Sequence, residues 1–192
     1  MKDRLKQNLD SIKEKKMQED DLDWVWINTG GEGKGKSAFS IALADYLDPD
    51  FSTDQIVFSG EEFISKAQEL EDYRPIILDE GIEDLYSRNA MTKKNKNLVQ
   101  FLRQCRALHK FIIIYIPNIT ELDKSIRTSR ANTVSRCVSQ GWAWIYRDGQ
   151  IQNIEEDRNG SISWPEPVLK SGWQNPESSM PELWKDYKEK KR

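Results

Sequence analysis

The chain has 192 residues, 37% hydrophobic and 32% charged, enough apolar material for one core with solvated appendages. Its longest strongly apolar run, Phe111 to Ile116, is far short of the ~18 residues of a membrane helix, and its charged first twenty residues do not read as a secretory signal. Net charge is −3, and two cysteines, Cys105 and Cys137, imply neither a disulfide framework nor a metal cluster, so buried thiols in a reducing, cytoplasmic compartment are expected.

Residues 2 to 20 read as a charged helix with a thin apolar stripe at Leu5, Leu9 and Ile12, able to dock on the body or on a partner. After an acidic break, Trp24 to Asn28 reads as a buried strand. Next comes "GGEGKGKS", Gly30 to Ser37, which fits the spacing G-x-x-x-x-G-K-[ST]. Ser37 to Leu47 reads as helix, stopped by Asp48-Pro49-Asp50. The loop therefore sits between strand and helix, where a phosphate cradle has to be.

Gln55 to Phe58 is a short second strand, and Glu61 to Leu70 a helix with Ser59 as its cap. Pro75 to Leu78 is a wholly apolar third strand ending in Asp79-Glu80. Lys93 to His109 is amphipathic: Leu98, Phe101, Leu102, Cys105 and Leu108 share one face, and Lys96, Arg103, Arg106 and Lys110 the other. Phe111 to Ile116 is a fourth buried strand stopped by Pro117-Asn118, and Thr120 to Arg127 a short helix capped by Thr120. Thr133 to Val138 and Trp142 to Tyr146 pair around a Gln140-Gly141 turn. From Asp157 onward Pro165, Pro167, Pro176 and Pro181 interrupt regular structure, while Trp164, Trp173 and Trp184 make this arm too apolar for a free tail. The expected division is a helix over 1–22, a core over 23–150 and an arm over 151–192 packed on that core.

Strands alternating with helices predict an α/β fold of three layers, α/β/α, with a mainly parallel sheet of about five strands, a C-terminal β-hairpin and an irregular Trp/Pro-rich arm. Ligands of such sheets bind at the carboxyl ends of the strands, and three polar clusters fall there: the glycine loop, Asp79-Glu80 and Asn118. The loop set is Gly30, Gly31, Gly33, Lys34, Gly35, Lys36, Ser37 and Ala38, with Lys34 reading as a surface charge within it. Backbone N–H groups and the helix N-terminus would cradle the phosphates of ATP. Lys36 would reach the β- and γ-phosphates, Ser37 and Asp79 would hold Mg2+, and Glu80 would orient or deprotonate an attacking water. Adjacent Asp-Glu leans toward hydrolysis over transfer to a small molecule. Each element also has a bland reading: a surface turn for the loop, a solvated strand end for Asp79-Glu80, a turn-forming residue for Asn118. His109 reads as helix-terminal, and Trp142 and Trp144 as core over a base-stacking platform. From Leu85 to Arg147 twelve Lys/Arg face two acids, a local +10 that leaves −13 elsewhere. That marks either two solvated faces of opposite sign or a phosphate- or subunit-facing surface.

The loop (Gly30 to Ser37), the acid strand (Ile76 to Glu80) and "DEGIEDLYSRN…FLRQCRALHKFIIIYIPNITELDKSIR" resemble the P-loop ATPases of the additional-strand, catalytic-glutamate class. Within it, the likeness is to the ATPase part of the zonular occludens toxin family and, more loosely, to the FtsK/HerA group of DNA-pumping and packaging ATPases. The resemblance spans residues 23 to 147 and departs twice. No membrane segment follows the ATPase part here, and the fourth strand ends "YIPN", which makes Asn118 a displaced stand-in for the group's polar sensor. It implies a homo-oligomeric ring in which a neighbour's arginine completes the site, with Arg88, Arg103, Arg106, Arg127 and Arg130 as candidates and Arg103 and Arg106 placed foremost. The leading expectation is an ATP-hydrolysing motor of a virus or mobile element that moves nucleic acid, DNA before RNA, without a membrane partner. A nucleoside or small-molecule kinase, and an ATP-dependent loader binding a protein through residues 1 to 20, stand as alternatives.

Overall fold

The computed structural model describes residues 1–79, 93–156 and 160–192. Five runs rich in β-branched and aromatic residues form parallel strands: β1 (Trp24–Thr29), β2 (Ile56–Val57), β3 (Pro75–Asp79), β4 (Phe111–Ile116) and β5 (Thr133–Ser139). β6 (Trp142–Arg147) turns back antiparallel on β5 through Gly141, whose φ of 84° suits a residue without a Cβ. β7 (Glu155–Glu156) and β8 (Ile162–Ser163) form a separate ribbon, and β9 (Leu169–Gly172) then pairs antiparallel with β6. The main sheet runs β2-β3-β4-β1-β5-β6-β9. β4 therefore lies between the glycine-loop strand β1 and the acid strand β3, which is the inserted strand the resemblance implies.

Alternation along the strands divides the core in two. Trp24, Trp26, Ile77, Phe111, Ile113 and Tyr115 face one layer, and Val25, Ile27, Ile76, Leu78, Ile112 and Ile114 the other. The first layer holds α1 (Asp3–Ser11), which continues as π-helical turns over Ile12–Glu19, and α2 (Lys36–Leu47). The second holds α3 (Gly60–Glu69), α4 (Lys93–Gln104), α5 (Lys124–Ser129) and the short α6 (Gly149–Gln152). α7 (Pro176–Ser179) and α8 (Pro181–Lys190) return the chain to the first layer, where Tyr187 joins its core. This is the expected three-layer α/β/α arrangement.

Several local expectations change. The expected C-terminal hairpin is built into the main sheet, β5 parallel to β1 and β6 antiparallel beside β5. The arm is not irregular: β9 supplies an edge strand, and α8 starts with Pro181 in its first turn, where the missing N–H costs no helical bond. Asn118, not Thr120, caps the turn after β4, its side-chain oxygen accepting from the Thr120 N–H at 3.0 Å and hydroxyl at 2.9 Å. Thr120 lies inside that turn. Lys110 leaves the solvated basic face and pairs with Asp72 at 3.0 Å, and Arg130 is buried against Asp23. Trp142 is not core: at the turn end of the hairpin it is 42% exposed, with the Lys2 ammonium 4.0 Å above its ring.

Candidate functional site

The glycine loop leaves the carboxyl end of β1 and delivers the chain into the first turn of α2. Gly30 has φ 145°, and a Cβ there would lie 2.5 Å from the carbonyl oxygen of Cys137 on β5, so this position accepts no side chain. Gly35 sits at φ 85° as the residue before α2, its Cα face against the indole of Trp173. The first-turn N–H groups of α2 have no partner within the helix and, with its dipole, make an anion-attracting end. Lys36 folds back over the loop, its ammonium on the carbonyls of Gly30 at 2.8 Å and Gly31 at 3.1 Å. Lys34 is exposed, in keeping with its reading as a surface charge.

A cavity of about 630 Å3 opens at this end, within the size range of small-molecule sites. Gly33, Gly35, Lys36, Ser37 and Ala38 form one wall, Gln140 and Gly141 of the β5–β6 turn another. The third comes from the C-terminal arm: Trp173, Asn175, Pro176, Glu177 and Trp184. Trp173 packs on Phe39 of α2 with ring centroids 4.6 Å apart, so the arm is keyed to the same helix that carries Lys36 and Ser37.

Asp79 ends β3 on the same side of the sheet. Register sets Asn28, Tyr115 and Asp79 side by side across β1, β4 and β3. Asp79 is fully buried, and Tyr187 of α8 donates to its Oδ2 at 2.7 Å while Lys191 lies 3.2 Å from Oδ1. The Tyr115 and Tyr187 hydroxyls are 3.0 Å apart, and both phenols also contact the Ser37 hydroxyl. Burial raises the pKa of Asp79, opposed by the two phenols and the Lys191 ammonium. Burial likewise raises both tyrosines, and pushes the Cys137 thiol up to about 12, so that cysteine is an inert core residue.

Ser37 and Asp79 are thus brought together through two phenols. Their hydroxyl and carboxylate are hard oxygen donors, and among the described residues no group of three or more His, Cys, Asp or Glu forms a metal cage. That donor set fits Mg2+, which is held by one or two carboxylates together with substrate phosphates. Asn118 stands beside the loop, since the neighbouring Pro117 carbonyl accepts from the Gly30 N–H at 3.2 Å. Glu80 and Arg88 lie outside the described residues, as does the side chain of Arg106. Arg103 is exposed near the C-terminal end of α4, where Arg130 donates to the Leu102 carbonyl and pairs with Asp23. Asp23 precedes β1, so Arg103 lies at the end of the sheet opposite the loop. His109 is a structural residue, stacked on Tyr73 and 3.3 Å from Asp21.

Sequence reasoning passes over the floor of the site. Asn28 donates to Ser40 at 2.6 Å and accepts from the Trp26 indole at 2.9 Å, with Ser135 closing the network from β5. The signal for it was a lone Asn at the end of the apolar run "WVWIN", and similarly a lone Tyr in "FIIIYI". Nothing local in "WKDYKEKKR" points to Tyr187 and Lys191, whose meaning depends on a contact more than a hundred residues away.

No protein-family model matches the chain, and no curated protein matches it. Among solved structures, the N-terminal domain of zonular occludens toxin from Neisseria meningitidis superposes with a TM-score of 0.47 at 14% identity, over 80% of this chain and 95% of that one. The genome packaging NTPase of Sulfolobus turreted icosahedral virus 2, in complex with ATP-gammaS, gives a TM-score of 0.44 at 12% identity, over 77% and 98%. The DNA-packaging ATPase of Sulfolobus turreted icosahedral virus gives 0.43 at 12% identity, over 76% and 98%.

Proposed function

We propose that this chain is an ATP-hydrolysing P-loop motor that moves or packages nucleic acid as a homo-oligomeric ring. The observation that carries the enzymatic part is the convergence of Lys36, Ser37 and Asp79 at the carboxyl ends of β1 and β3, with β4 inserted between those strands. In this reading the loop N–H groups and Lys36 hold the β- and γ-phosphates, while Ser37 and Asp79 hold Mg2+ directly or through water. A bound Mg2+ would neutralise charge on the transferring phosphoryl group. Glu80 orients or deprotonates the attacking water, and Asn118 stands beside the loop as a sensor of the γ-phosphate. An arginine comes from a neighbouring copy.

The nucleic-acid part is supported by the local +10 of residues 85 to 147 and by the resemblance carried by residues 79 to 127. Phosphate release, measured with and without DNA and alongside the solution mass, tests the whole reading. Wild type should release free phosphate, faster with DNA, from an oligomer. Lys36→Ala should lose nucleotide binding, and Glu80→Gln should bind and trap ATP. Turnover in Glu80→Gln equal to wild type would remove Glu80 from the mechanism, and a phosphorylated acceptor in place of free phosphate would make the protein a kinase.

A further inference from the structure

Asp79 stands where a divalent cation would be held, yet its carboxylate is 0% exposed and both oxygens are engaged by the C-terminal segment. Mg2+ requires octahedral oxygen ligands at about 2.0–2.1 Å and keeps several waters, so it needs an open carboxylate face. The cavity at the loop reaches Tyr115 and Trp184 but stops short of Asp79, which lies behind the phenols. Lys191 puts positive charge on Oδ1 and Tyr187 a donor on Oδ2, which together mimic what a hydrated cation offers a carboxylate.

The segment making these contacts is a ten-residue helix near the C-terminus with one buried side chain. Tyr187 is the buried residue of α8; Leu183 and Trp184 pack on the first layer only partly covered, and rim ammonium groups add Lys190 on the Thr53 and Ile56 carbonyls and Lys188 on Glu177. A terminal helix with a single buried side chain opens locally at less than the cost of global unfolding. It is also continuous with the cavity wall formed by Trp173, Asn175 and Glu177. A ligand filling the cavity would press on the same element that covers Asp79.

We propose that α8 is a built-in competitor for the divalent cation, Tyr187 and Lys191 holding Asp79 in the nucleotide-free chain and leaving it when metal and nucleotide enter together. This rests on the nucleotide-site reading above. Occupancy by the metal is then coupled to release of the C-terminal helix, and the apparent affinity for metal-bound nucleotide is lowered by the fraction of chains in which α8 is closed.

The test is calorimetric binding of ATP-gammaS to the full chain, in Mg2+ and in EDTA, for wild type, Tyr187→Phe, Lys191→Met and the double variant. Both substitutions keep the bulk of the side chain. Lys191→Met should tighten binding in Mg2+ by about tenfold, the low end for losing a charge-assisted bond, and leave binding in EDTA unchanged. Hydrogen exchange over residues 181–192 of wild type should rise on adding Mg2+ with ATP-gammaS. Binding in Mg2+ that is unchanged or weaker in the variants overturns the competitor role, as does exchange that does not rise. Wild type that binds no nucleotide in either buffer overturns the nucleotide site itself, and this proposal with it.

Discussion

Two residues show how tightly the site is specified by single atoms. At Gly30, φ 145° and a carbonyl 2.5 Å from any Cβ make alanine both strained and clashing. Gly30→Ala should cost about 2–3 kcal/mol in urea unfolding and should weaken nucleotide binding with it. Loss of binding at full stability would show that the loop relaxes around the methyl. Asp79 behaves oppositely, because its burial disfavours the charged form. With the folded pKa above the ordinary value of 3.8, the folded chain holds the extra proton in that window, so stability falls as pH rises through it. Asp79→Asn cannot ionise and escapes this loss. It should melt at or above wild type at pH 7, the two converging below pH 3.8, while metal-dependent binding disappears. If Asp79→Asn is instead less stable at pH 7 but not in acid, the Lys191 and Tyr187 contacts outweigh the burial.

At the scale of elements, the N-terminal helix is better described as part of the core than as an interaction tail. Leu5, Leu9, Ile12 and Met17 are fully covered, Lys13 caps the Leu47 carbonyl of α2 at 2.7 Å, and Tyr46 binds Asp10. Leu9→Ala should therefore cost about 2–5 kcal/mol in chemical denaturation. A cost below about 1 kcal/mol would mean the helix is only loosely docked. Deleting residues 1–20 would bare the same surface, so the partner-loader alternative is better probed by reversing the exposed Glu14 and Lys15. The stripe at Leu5, Leu9 and Ile12 was legible because helical periodicity reports a buried face directly. The glycine loop, the four apolar strands and the Ser59 cap were legible for the same reason: the signal is local. Asn118 displaced Thr120 as cap because both can accept a backbone N–H, and only the path out of β4 decides between them. The arm's packing on the core was expected, but its regular elements were not, because prolines mark breaks and do not say that the stretches between them, such as Leu169 to Gly172, find an open sheet edge.

Over the whole molecule, the same limit separates the fold from the working assembly. The layered α/β/α class followed from buried strands, alternating helices and a resemblance, while the strand order came only with the structure. The placement of charge did not follow, because a count of Lys and Arg cannot see that Lys110 and Arg130 are consumed by Asp72 and Asp23. That placement bears on the proposed ring. Arg103 lies at the end of the sheet opposite the cavity of its own chain, so in the proposed ring it would have to act on a neighbour's nucleotide. A heterologous, head-to-tail contact is the arrangement that lets every copy both give and receive such a residue. Mixing two inactive variants tests this. Lys36→Ala subunits keep the arginine but hold no nucleotide, and Arg103→Ala subunits hold nucleotide but lack the arginine. Assembled together in equal amounts, half the subunits are competent to bind ATP and half of those meet a neighbour that keeps the arginine, so about a quarter of the sites should turn over. Phosphate release from the mixture, against silence from either variant alone, is the expected result. A mixture as silent as its parts would exclude Arg103 as the residue given in trans, and repeating it with Arg106→Ala would then ask the same of the other foremost candidate.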